Sequence, residues 1–168
     1  MEKKKSRFLP AVLWLMFLGA TAVIVYLSFQ NGEDSRELCM GFIEQAAQHY
    51  YEKENVSSTE LNQIAYWIRQ MGRMLAFLLI GMLGTATIHA SCTKINWFGK
   101  TVIAAGALLL IAFFTEKLKM YIPTRHYSHD EMVMSIMAAM TGFLIVTVIT
   151  ITVRAVKGVV RLVATALH

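Results

Sequence analysis

Four apolar runs divide the chain, at positions 8–29, 74–90, 101–115 and 132–153. The first and the last carry no charge over 22 residues. At about 1.5 Å of rise per residue a 22-residue helix reaches roughly 33 Å, enough to cross the hydrocarbon core of a bilayer. Pro10 falls in the first turn of the first run, where the missing N–H costs little. The third run is short, so Trp97, Phe98 and a Lys100 that snorkels towards the interface are expected to complete it. The predicted spans are 8–29, 71–90, 97–115 and 132–153. The first is too long for a cleaved signal and lacks a small-x-small site before Gln30, so it is expected to be a retained anchor.

Polar positions between the spans predict the remaining elements. In the segment 33–66, Ser35 can cap a helix that aligns Leu38, Cys39, Phe42, Ile43, Ala46 and Tyr50 on one side. Glu37, Glu44, Gln48 and Glu52 take the other side, the pattern of a helix lying on a membrane surface or covering a bundle. After a break at Asn55-Val56-Ser57-Ser58, the Ser57/Glu60 capping-box spacing starts a helix that is expected to run through Leu61, Ile64, Ala65 and Ile68 into span two. The tail, 154–168, spaces Arg154, Lys157 and Arg161 along one face and reads as an interfacial extension of span four. Gly81-x-x-x-Thr85 and Ala138-x-x-x-Gly142 allow close helix approach. The expected fold is all-α: a single integral membrane domain over residues 1–168, a four-helix bundle with an extracytoplasmic amphipathic helix between spans one and two.

Composition narrows the class. Of 168 residues 56% are hydrophobic and 16% charged, against about 25% charged in ordinary soluble domains. The mean hydropathy is +0.50. So small a soluble domain cannot hide that apolar excess, and a disordered chain needs the opposite balance. The net charge of +5 changes meaning once it is divided by side of the membrane. With the N-terminus inside, cytoplasmic segments hold nine bases and one acid, +8, and outer segments hold seven bases and ten acids, −3. The positive-inside rule then places both termini in the cytoplasm of a multi-pass membrane protein. The basic balance is a topology signal, and no nucleic-acid partner is expected. Cys39 falls outside and Cys92 inside, so they cannot pair within one chain. A homo-oligomer bridged through Cys39 stays open.

The candidate chemistry lies at the predicted outer rim. Three segments converge there: 28–35 leaving span one, 69–73 entering span two, and 116–131 between spans three and four. Arg69 and Arg73 are four residues apart and share a helix side. Arg73 would sit at or below the interface, where an unpaired charge is costly, and Glu116 and Glu131 are the available partners. These charges either pair structurally or form a polar pocket that binds an anionic or polar head group through the arginines. His126-x-x-His129-Asp130-Glu131 suggests zinc, but no third ligand position is set, and neither a metal nor any cofactor is expected. Methionines such as Met132, Met134, Met137 and Met140 read as packing groups.

The same rim segments carry a family resemblance. Ser28, Gln30 and Ser35 after span one, Arg69 and Gly81 in span two, and Glu116, Pro123, Arg125 and Gly142 around span four match the pattern of the VanZ-like family of bacterial membrane proteins. Gln70, Arg73 and Phe77 stand where that family commonly has Lys, His and Tyr. Lys119, Thr124, Glu131, Ser135 and Ala138 replace its usual Gln, Gly, Asp, Asn and Gly, so the chain resembles a divergent member.

The resemblance implies a multi-pass envelope protein connected with susceptibility to teicoplanin-type glycopeptides. Its expected ligand-binding residues are Ser28, Gln30, Arg69, Arg73, Glu116, Arg125 and Glu131. The expected partners are membrane lipids and a lipid-linked cell-wall precursor or glycopeptide. Two alternatives stay open. One is an enzyme acting on an envelope lipid or peptidoglycan precursor, although no G-x-S-x-G or H-E-x-x-H signature is present and no catalytic residue is assigned. The other is a structural or assembly subunit of an envelope complex.

Overall fold

The computed structural model describes residues 8–29, 41, 58–92, 94–121 and 128–166. Within them the chain is helical, with no strand. The elements are α1 (Phe8–Phe29), α2 (Ser58–Ser91), α3 (Trp97–Leu118) with a 3₁₀ turn at Lys119–Tyr121, and α4 (His129–Ala166). All four helices are long and apolar enough to cross a membrane. The chain is thus built as a multi-pass membrane protein in the form of a four-helix bundle.

Helix α2 runs unbroken from Ser58 and carries residues 58–68 of the expected helix straight into span two, with Ser57 outside the described residues. The amphipathic helix expected earlier in 33–66 falls, apart from Gly41, outside the described residues. α4 is 38 residues long, roughly 57 Å, so span four and the basic tail form one helix. Every described side chain from Ile151 onward is exposed, which means that α4 projects beyond the packed bundle.

α2 and α3 form the centre: each contacts the other, and both contact α1 and α4. The direction of each helix follows from its polar contacts. Trp14 Nε1 donates to Ser91 Oγ at 2.9 Å, and Thr87 Oγ1 donates to the Leu13 carbonyl at 3.3 Å, so α1 starts where α2 ends. Arg73 meets Glu116 and Glu131, which places the end of α3 and the start of α4 beside the first half of α2. The helices therefore alternate in direction, and α2 and α4 run parallel.

Small residues set the α2–α4 distance. A Cβ on Gly81 would overlap the Ala139 carbonyl, and one on Gly142 would overlap the Leu78 carbonyl and lie 2.9 Å from the Met82 nitrogen. Main chain thus rests on main chain, the contact that small residues permit between spans where no hydrophobic effect drives association. At Gly84 the missing side chain leaves room for Phe17 of α1 and Leu108 of α3 to meet over α2. These two join Phe77, Ile80, Ala104, Ala112, Ala138 and Phe143 in the apolar core. Elsewhere the large apolar side chains, including Leu15, Leu18, Leu75, Leu110, Leu144 and Val148, point outward. So much apolar exposure suits a lipid solvent and would be an aggregation hazard in water.

Replacing Gly142 with Ala should cost about 1–3 kcal/mol, because the neighbour that must yield is backbone. Gly106, with nothing within 4 Å of an added Cβ, serves as the control, and Gly106→Ala should be neutral or stabilise by up to about 1 kcal/mol. Dodecyl sulfate titration of the two proteins in mixed micelles, followed by circular dichroism, measures both.

Candidate functional site

The buried stripe of α3 consists of Lys100, Ala104, Leu108, Ala112, Thr115 and Glu116, mostly four residues apart and hence on one face. Its middle is apolar and both ends are charged. At the far end the 3₁₀ turn tightens the chain after Leu118, with the Lys119 N–H reaching the carbonyls of Glu116 and Lys117. This brings Lys119 back over the helix end. Its Nζ lies 2.8 Å from each carboxylate oxygen of Glu116 and 3.2 Å from Glu131 Oε2.

α4 supplies Glu131 from its first turn. Ser128 precedes that turn, its hydroxyl facing the Glu131 N–H at 3.4 Å and its carbonyl accepting from Met132 N–H at 3.2 Å. Asp130 and Glu131 then stand at the helix N-terminus, where the macrodipole favours acids. α2 completes the cluster: Arg73 Nη2 lies 2.6 Å from Glu131 Oε2, and Nη1 lies 3.5 Å from Glu116 Oε1. Two cations and two anions from α2, α3, the 3₁₀ turn and α4 therefore form one network of zero net charge.

Its members differ in exposure, and this separates their roles. The Glu116 and Lys119 side chains are 1% and 4% exposed, while those of Arg73 and Glu131 are 21% and 26% exposed. The inner pair is held by each charge satisfying the other, since an isolated charge at this depth would be costly. The outer pair faces the surroundings. Beneath them, buried Gln70 donates to the Met134 sulfur at 2.8 Å, and the buried Ser135 hydroxyl donates to the Glu131 carbonyl at 2.9 Å. The first contact ties α2 to the start of α4, and the second is a back-bond within α4 itself.

Of the residues expected from the sequence, Arg73, Glu116 and Glu131 are brought together. Arg69 is not in the network: it lies exposed one turn before Arg73, its Nε donating to the Ala65 carbonyl at 3.3 Å. The side chain of Ser28 and all of Gln30 and Arg125 lie outside the described residues. Lys119 is absent from the expected set, yet it contacts both acids. Its three-residue spacing from Glu116 at a helix end is the signal that could have found it. His126 of the zinc pattern is outside the described residues, among which no group of three metal-ligating His, Cys, Asp or Glu occurs.

Removing one member of the inner pair should leave the network with one unmatched charge at its buried side. Glu116→Leu is expected to lower stability by about 3–5 kcal/mol. Glu116→Leu combined with Lys119→Met should recover most of that loss, a coupling that a double-mutant cycle in mixed micelles reads directly.

No protein-family model, curated protein or solved structure matches the chain.

Proposed function

We propose that the chain is a non-enzymatic, VanZ-like protein of the bacterial cell membrane whose charged rim recognises a polar lipid or lipid-linked cell-wall ligand, and that through this it affects glycopeptide susceptibility. The observation that carries the proposal is the split within the network. Glu116 and Lys119 are buried, with all their charge partners inside the network, whereas Arg73 and Glu131 are partly exposed. The buried half acts as a rigid support, and the open half can exchange one ion-pair contact for a ligand group. Arg69, exposed one turn away, adds a second guanidinium on the same helix for a phosphate or carboxylate.

A second reading is favoured by the zero net charge of the network. A closed set of four ion pairs can serve only to lock α2, α3 and α4, as in a structural or assembly subunit. The two readings part on Arg69, which makes no ion pair among the described residues. Arg69→Ala should leave folding and accumulation unchanged. On the recognition reading it abolishes the shift in teicoplanin susceptibility that separates a strain expressing the protein from its deletion. A normal shift in cells expressing the Arg69→Ala protein sinks that reading and leaves the locking role.

In the proposed orientation both termini are cytoplasmic and the network faces outward. A membrane-impermeant maleimide added to intact cells should then label Cys39, while Cys92, partly exposed at the end of α2, reacts only after permeabilisation. The reverse pattern overturns the orientation.

A further inference from the structure

Among the described residues, the opposite end of the bundle holds cations without anions. Lys100 begins the buried stripe of α3 and is 8% exposed, yet among the described residues it makes no ion pair or side-chain hydrogen bond. Three further polar atoms, His89 Nε2, Trp97 Nε1 and Thr147 Oγ1, are buried with no hydrogen-bond partner among the described residues.

The helix registers bring these groups to one level. The offset that pairs Arg73 with Glu131 and seats Gly81 on Ala139 sets His89 opposite Thr147 across the α2–α4 contact. The antiparallel register that pairs Arg73 with Glu116 sets His89 opposite Lys100. Lys100 and Arg154 are the charges close enough to act electrostatically on His89. Trp97 lies one turn before Lys100 on α3.

The unpaired Thr147 hydroxyl is informative in its own right. Every other threonine whose side chain is described donates to a carbonyl of its own helix, for example Thr85 to Gly81 at 2.7 Å, Thr115 to Ile111 at 2.8 Å and Thr150 to Val146 at 2.8 Å. That back-bond is the default for threonine in a span. Thr147 alone forgoes it, and so it stays free to donate elsewhere.

A lysine ammonium, an indole N–H and a hydroxyl are donors, and an imidazole can be one. Buried donors without acceptors, around a cation without a counter-charge, are complementary to an oxyanion. No acid among the described residues lies at this end of the helices, so the anion must come from outside the described structure. We propose that Lys100, His89, Trp97 and Thr147 form a binding site for a phosphate-type oxyanion, with exposed Arg154 at its mouth. The site lies where α2 leaves and α3 enters the apolar layer, the depth of lipid phosphates, so an anionic phospholipid head group and free phosphate are the two sources of this chemistry. It is separate from the Arg73 network and stands whether or not that network binds a ligand.

Native mass spectrometry of the full-length protein in nonionic detergent tests the site, with phosphatidylglycerol, phosphatidylcholine and inorganic phosphate as probes. The wild type should retain phosphatidylglycerol about tenfold more tightly than phosphatidylcholine. Lys100→Met should abolish that preference, a loss of about tenfold or more for a cation–oxyanion contact, and Thr147→Val should weaken it by about threefold. Displacement of the lipid by inorganic phosphate assigns the site to the free anion, and retention assigns it to the lipid. Arg161→Gln removes the same unit of charge from the exposed tail and should leave the preference intact. Equal losses in Lys100→Met and Arg161→Gln would reduce the effect to net charge and overturn the site. So would a wild type that binds neither phosphatidylglycerol over phosphatidylcholine nor phosphate. Should Lys100→Met fail to accumulate, Thr147→Val with His89→Gln decides, since unchanged binding in both excludes the site.

Discussion

The contact on which the rest of the structure depends is the approach of α2 to α4 at Gly81 and Gly142. Backbone meets backbone there, and neither glycine can take a side chain without moving a helix. In lipid there is no hydrophobic gain from joining two apolar helices, so the specificity of packing has to come from close van der Waals fit and from polar contacts. The small residues supply that fit and also set the register. Given that register, Arg73 arrives at Glu131 two turns in one direction, and His89 arrives opposite Thr147 two turns in the other. Both polar ends of the bundle are consequences of one apolar contact near its middle.

The two ends handle buried charge in opposite ways. At one end Glu116 and Lys119 neutralise each other inside the bundle while Arg73 and Glu131 complete the set towards its surface. Such a network contributes little net stability against an apolar equivalent, but it is severe on partial disruption, because any remaining charge is left unmatched in a low dielectric. At the other end Lys100 has no such partner among the described residues, and the donors near it are unsatisfied. The same helix, α3, carries a charge at each end of one buried stripe, balanced within the protein at Glu116 and open at Lys100.

Much of the architecture is legible along the chain because a bilayer demands it locally. A helix must satisfy its own backbone in lipid, so length and lack of charge identify spans without any tertiary information. The continuous α2 is signalled by the capping spacing at Ser57 and Glu60, and the close contact by Gly81 and Gly142. Lys100 differs from expectation. A lysine near a span end is expected to snorkel outward, but the four-residue spacing to Ala104 and Leu108 places it on the packed face, and it is buried. The role of Lys119 depends on the 3₁₀ turn that folds it back over Glu116, which the apolar pattern of the span does not signal.

The sequence alone determined the class of solvent, the four crossings, the small residues that permit close helix approach and the short set of acids able to meet Arg73, since each follows from local length, charge or spacing. Only the tertiary structure decided which cations are matched. Pairing is a property of register between helices, and residues 43 or 58 positions apart carry no local trace of whether their side chains meet. It therefore took the packed bundle to show Arg73 and Lys119 neutralised and Lys100 left in the company of donors.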